Sequence, residues 1–176
     1  MSLQTARLRL DVLEPYHAEL LFAGLRDERL YKYCEDEPPE DIAALAARYA
    51  RLAARRSPDG SEIWLNWAVW ARKEARYVGF VQATILHDWS SQVAYRLVHD
   101  AWGNGYAWEA ASAMLAHVRE DWDVSEFVAT VDARNKRSLA TLEALGFSLG
   151  QSRATLASAD LRTGDELFYR LRAEPR

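Results

Sequence analysis

A mixed α/β fold on a single sheet follows from three observations on this chain. Three strand patterns lie close together between residues 64 and 98. A glycine-flanked turn then leads directly into a long amphipathic helix. A strand, a helix and two short strands close the chain. Antiparallel neighbours followed by one β-α-β crossover make a mixed sheet rather than a doubly wound dinucleotide fold. The 176 residues suit one domain with a sizeable core. No repeat, low-complexity tract or linker divides them, so residues 1–176 read as one unit.

Each element has its own signal. Arg7–Val12 alternates apolar and polar residues, as a half-buried strand does. Glu14-Pro15 opens a short helix with Leu20, Leu21 and Leu25 on one side. The polar, aromatic stretch from Leu30 to Pro39 reads as a loop. A second helix is expected over Asp41–Arg55, with Ile42, Leu45, Tyr49 and Leu52 as its buried stripe, stopped by Ser57-Pro58-Asp59-Gly60. Trp64–Ala71 and Tyr77–Leu86 are rich in aromatic and β-branched residues and form a hairpin, with Gln92–Val98 as the third strand. After Gly103 and Gly105, apolar residues recur at Ala107, Ala110, Ala111, Met114, Leu115, Val118 and Trp122, one face of a helix. Glu126–Asp132 is a strand. Asn135 caps a helix carrying Leu139, Leu142 and Leu145 and ending at Gly146. Phe147–Leu149 and Leu167–Leu171 close a sheet of about seven strands, separated by a polar connection.

Composition narrows the function classes. Hydrophobic residues make up 49% of the chain, a globular proportion. The net charge of −4 argues against a general nucleic-acid binder. Cys34 is the lone cysteine, so neither an internal disulfide nor a cysteine-based zinc site can form, and a cytoplasmic location is expected. The four histidines lack metal-site spacing, so no metal is expected. No stretch has the apolar run of a signal core or a membrane span, and no membrane partner is expected.

The stretch Trp102-Gly103-Asn104-Gly105-Tyr106-Ala107 carries the chemistry. A helix start offers free N–H groups and partial positive charge to an anion. Glycines permit the positive φ angles that aim consecutive N–H groups at one point. The spacing is not a dinucleotide fingerprint, because Trp108 stands where G-x-G-x-x-G needs its third glycine; nor is there a G-x-x-x-x-G-K-S/T loop.

Thirty residues later come Asn135-Lys136-Arg137-Ser138 and Leu145-Gly146-Phe147. With these, the chain resembles the GNAT N-acetyltransferase superfamily, and within it the RimJ/RimL-like group. The group's Q/R-x-x-G-x-G/A signature falls on Trp102, Gly105 and Ala107. Its N-x-x-S and L-G-F elements fall on Asn135, Ser138 and Leu145–Phe147. The opening Thr5–Leu10 is also like the group's first strand. The resemblance implies a three-layer fold with helices on both faces and a central parallel pair, Gln92–Val98 and Glu126–Asp132, splayed for acetyl-CoA. It further implies that the backbone of Leu97 and Val98 meets the pantetheine amides. The N–H groups of Gly103, Asn104, Gly105, Tyr106 and Ala107 would hold the diphosphate, with Asn135 and Ser138 near the pantetheine. Three positions depart from the pattern: Trp102 replaces a basic residue or glutamine, no tyrosine stands at or beside Leu142, and Gln92 replaces a glutamate.

What the resemblance implies is transfer of an acetyl group to a primary amine, either a protein N-terminus or a small molecule. Ser138 inherits the role of acid or proton relay. His87 and Asp88 are base candidates, as is the acidic group Glu35, Asp36 and Glu37, with Glu35 put first. Tyr31, Tyr33 and Asp36 are candidates for the acceptor site. The alternative is a protein of the same fold that senses acyl-CoA with little catalysis. A monomer or homodimer is expected.

Overall fold

The computed structural model describes residues 1–150 and 166–173. Leu8 and Leu10 are fully buried while Arg9 faces outward, so the alternation in the first segment does mark a strand, β2 (Leu8–Val12). A two-residue strand, β1 (Leu3–Gln4), pairs with it and brings the sheet to eight strands among the described residues, where about seven were expected. Two residues are too few to show alternation. The remaining strands are β3 (Ile63–Ala71), β4 (Arg76–Ile85), β5 (Ser90–Leu97), β6 (Glu126–Asp132), β7 (Ser148–Leu149) and β8 (Glu166–Arg172). Their order is β1-β2-β3-β4-β5-β6-β8-β7, and β5–β6 is parallel while every other pair is antiparallel. The polar connection expected before the last strand falls at 151–165, outside the described residues.

Helices cover both faces. α1 (His17–Leu25) and α2 (Ile42–Ala53) pack Leu21, Leu25, Leu45 and Tyr49 against Ala68 and Tyr77 on one face. Ile42 belongs to the expected stripe but is 41% exposed, since the packed cluster of α2 begins only at Leu45. Asp41 caps α2 by accepting from the Ala44 N–H at 2.7 Å. On the other face, α3 (Tyr106–Asp121) buries Ala110, Ala111, Met114, Leu115 and Val118, as its spacing requires. Leu142 of α4 (Lys136–Ala144) joins the same core.

A bulge on β4 shapes the centre of the sheet. Val69 faces Gly79 and Trp70 faces Tyr77, which leaves Val78 as the extra residue. Its carbonyl accepts the Val98 N–H at 2.9 Å, just beyond the end of β5. Gly79 has φ +148°, and a Cβ there would meet the Arg96 carbonyl oxygen and Leu97 Cα. Only glycine lets the two strands approach this closely. Among the described residues, no helix is long and apolar enough to cross a membrane.

Candidate active site

The parallel strands part company early. β5 and β6 pair only through Ser90–Glu126, Ser91–Phe127 and Gln92–Val128. Beyond that, β5 stays bonded to β4 and β6 to β8 on their outer sides, and the inner edges diverge. Backbone groups alternate along an antiparallel ladder. Because Val98 donates to Val78, the even-numbered residues of this stretch point at β4. The N–H groups of Tyr95 and Leu97, beyond the last paired residues, therefore turn toward the opening. This corrects one expectation: Leu97 can offer its N–H to a ligand in the split, whereas that of Val98 is consumed by the bulge.

At the wide end of the split, α3 begins without a cap. Gly105 precedes it in the left-handed conformation, φ 74°, ψ 9°, and no side chain accepts from the first turn. Gly103 is also left-handed, at φ +77°, with open space where a Cβ would stand. By contrast, Asp41 caps α2 and Asn135 caps α4, the latter by accepting from the Ser138 N–H at 3.2 Å. The start of α3 thus keeps N–H groups for an outside acceptor.

Side chains brace that loop from behind. Asn104 Nδ2 donates to the carbonyls of Ala101 and Trp102 at 3.1 and 3.2 Å. Arg7 donates to the Asn104 carbonyl at 2.8 Å and to Glu109 at 2.6 Å, and Thr5 donates to the same carboxylate. Burial works against the charge of Glu109, yet the Thr5 and Arg7 donors hold its carboxyl below the usual range. Tyr106 donates to Glu74, leaving only its backbone for a ligand, and Ala107 packs on the core. Trp102 is not a free donor: its N–H goes to His99 and its indole N–H to Leu97 O at 2.9 Å.

A hydroxyl pair joins the arms of the split. Tyr95 of β5 reaches α4, its hydroxyl 3.0 Å from Ser138 Oγ and 3.1 Å from the Ser138 carbonyl. Burial raises the pKa of Tyr95, so it stays protonated at neutral pH. Tyr95 was missed from sequence, although its place between Val93 and Leu97 puts it on the inward-facing register.

The α1–α2 connection lies on the opposite face. A cavity of about 200 Å³ opens there, with Leu13, Leu25 and Phe80 as apolar wall and Tyr31, Glu37, Gln82 and Arg96 as polar groups. Arg96 of β5 holds the loop in place. Its guanidinium lies 3.0 Å from Asp36, 3.3 Å from Cys34 Sγ and 4.5 Å above the Tyr31 ring. Asp36 also meets Arg48 at 3.6 Å, so its carboxylate is committed to the scaffold. Tyr31 lines the cavity and donates to Leu25 O at 2.8 Å. Tyr33 stands instead under Lys32 and Arg134. Of the acidic group it is Glu37, not Glu35, that borders the cavity.

His87 and Asp88 lie elsewhere. Both are exposed in the β4–β5 turn, beyond the closed end of the split. Asp88 accepts from the Ser90 N–H and hydroxyl at 3.0 and 2.6 Å, the bonds of a turn-forming aspartate. Seven residues of turn and extended chain separate it from Tyr95, roughly 20 Å at strand rise. The structure does not bring these two base candidates to Ser138. Gln92 is exposed on the face opposite the α3 core.

A mixed sheet with one splayed parallel pair, and an uncapped helix start at the wide end of the splay, defines the α/β class of the fold. The chain belongs to the GNAT acetyltransferase family: residues 7–148 match the model of the acetyltransferase (GNAT) domain. It is 27% identical over 99 residues to the uncharacterized protein YkkB of Bacillus subtilis, a match spanning 47% of this chain and 58% of that relative's length. The fold is similar to RimL, a ribosomal L7/L12 alpha-N-protein acetyltransferase solved with coenzyme A, at TM-score 0.80, 13% identity and 98% coverage of both chains. It is similar also to the ribosomal-protein-S5-alanine acetyltransferase of Vibrio fischeri, at TM-score 0.77, 16% identity and coverage of 99% and 97%.

Proposed function

We propose that the protein transfers the acetyl group of acetyl-CoA to a primary amine held in the cavity between the α1–α2 connection and strands β4 and β5. The observation that carries this reading is the uncapped start of α3 at the wide end of the split. Its N–H groups from Gly103 to Ala107 suit the diphosphate of coenzyme A, and the inward N–H of Leu97 suits a pantetheine amide or the thioester carbonyl.

The chemistry assigns work to the remaining groups. A primary amine of pKa about 10 is mostly protonated at neutral pH and must lose a proton before attack. Glu37, the member of the acidic group that lines the cavity, takes the base role in preference to Glu35, His87 and Asp88. The nitrogen bonds to the acetyl carbon as the carbon–sulfur bond breaks, and the departing thiolate takes up a proton. The Ser138–Tyr95 pair is the proposed relay for that proton. Asn135 supports it by fixing the first turn of α4. A cavity of about 200 Å³ admits a small amine or the terminal residue of a peptide. The lone cysteine suits a reducing compartment.

Thiol release from acetyl-CoA across a panel of small amines and N-terminal peptides tests this reading. Amine-dependent release is expected, and Glu37→Gln should lower its rate about 100-fold with acetyl-CoA affinity unchanged. Tight acetyl-CoA binding with no release for any acceptor would favour an acyl-CoA sensor.

A further inference from the structure

Trp102 stands where the signature of the family places a basic residue or glutamine, and its own polar groups are spent. Its indole N–H is bonded to the Leu97 carbonyl and its backbone N–H to His99. The loop therefore has no side chain of its own at that position for an anion. The fold supplies a guanidinium from elsewhere. Arg137, in the first turn of α4, lies with its central carbon 3.2 Å from the centre of the Trp102 ring. An arginine stacked flat on an aromatic face keeps its N–H groups directed outward around its rim. The carboxylates nearest in sequence are already engaged: Asp132 with Arg134 at 2.6 Å, and Glu143 with Tyr169 at 3.2 Å. Among the described residues no carboxylate pairs with Arg137.

We infer that Arg137, oriented by Trp102, is the cationic contact for the diphosphate of coenzyme A, replacing across the split the basic side chain that the loop lacks. The inference rests on the acetyl-CoA reading above. The site then has two sources of positive potential: the N–H groups of the α3 start and a guanidinium from the α4 start. They approach from opposite arms of the split. Trp102 is the platform that fixes the guanidinium, which explains an apolar residue at a phosphate-binding position. Charge-assisted hydrogen bonds of this kind are about twice as strong as neutral ones.

Calorimetric titration of the whole chain separates the possibilities, with coenzyme A, dephospho-coenzyme A and pantetheine as probes. Arg137→Ala should weaken both nucleotide ligands roughly tenfold or more and leave pantetheine unaltered; Arg137→Lys should recover only part of the loss. Unchanged coenzyme A affinity would overturn the inference and leave Arg137 as packing for Trp102. An equal loss for pantetheine would do so too, because it would signal damage to the split. A loss seen with coenzyme A but not with its dephospho form would move the contact to the 3′-phosphate and also overturn it. Failure of the unmutated protein to bind coenzyme A would instead sink the acetyl-CoA reading, an outcome distinct from all of these.

Discussion

The two faces of the sheet hold their candidate sites by different means. On the α3 side the proposed ligand contacts are mainly backbone, an inward N–H on β5 and an uncapped helix start shaped by Gly103 and Gly105, with the proposed Arg137 guanidinium beside them. On the α1–α2 side they come from side chains, with Glu37, Gln82 and Tyr31 around a cavity and Arg96 tying the loop to the sheet. A backbone site is fixed by chain geometry and serves any ligand with the same anion. A side-chain site is fixed by residue choice and can be changed without disturbing the fold. The donor half should accordingly be sensitive to backbone strain, and the acceptor half to loss of charge or packing.

Gly105→Val gives the largest expected effect on this contrast. A β-branched residue is a genuine outlier at φ 74°, and left-handed backbone costs an L-residue about 1–2 kcal/mol. The loop relieves this strain by turning its N–H groups away from their common focus. Acetyl-CoA affinity should fall roughly tenfold or more, with the acceptor KM unaltered at saturating donor. Equal losses in both constants would show that the halves are not separable.

The same contrast explains what could be read before the fold was known. The turn before α3 was legible because glycines at 103 and 105 mark backbone conformation directly, and the following spacing of Ala110, Met114 and Val118 marks a helix. Strands β3 to β6 were legible for the same local reasons. The acceptor half was not. Glu35, Asp36 and Glu37 are chemically equivalent along the chain; only the fold sends one to Arg96 and another to the cavity. Arg137 and Tyr95 were missed because their partners, Trp102 and Ser138, lie 35 and 43 residues away. That the Val98 N–H is engaged was not legible, because a bulge in a different strand claims it.

The Ser138–Tyr95 pair stands on the seam between the halves and should belong to neither. Ser138→Ala and Tyr95→Phe each remove one hydroxyl from a hydrogen bond of 3.0 Å. If the pair relays the proton to the departing thiolate, kcat should fall several-fold to about 100-fold, while acetyl-CoA affinity and acceptor KM hold. The double variant should be little worse than either single change, since both cut the same relay. Additive losses would mean that each hydroxyl packs or binds independently.

The smallest effect concerns the acceptor layer alone. His17 of α1 is fully buried, its Nδ1 accepts the Glu14 N–H at 2.9 Å, and its ring stands edge-on to Tyr77 at 4.7 Å. Burial lowers its pKa from the usual 6.5, outweighing the opposite pull of the Glu14 carbonyl and of Asp11. The unfolded chain therefore binds a proton at His17 before the folded chain does. The stabilisation is complete above pH 6.5 and drains away as the pH falls toward the lower folded value, at a slope of no more than about 1.4 kcal/mol per pH unit. Amide exchange between pH 7.5 and 5.5 should show α1 and α2 loosening with acid while the α3 core holds, and His17→Gln should flatten that dependence. An acid slope of the same size in His17→Gln, or one shared equally by α3, would remove His17 as the cause and with it the independence of the acceptor layer.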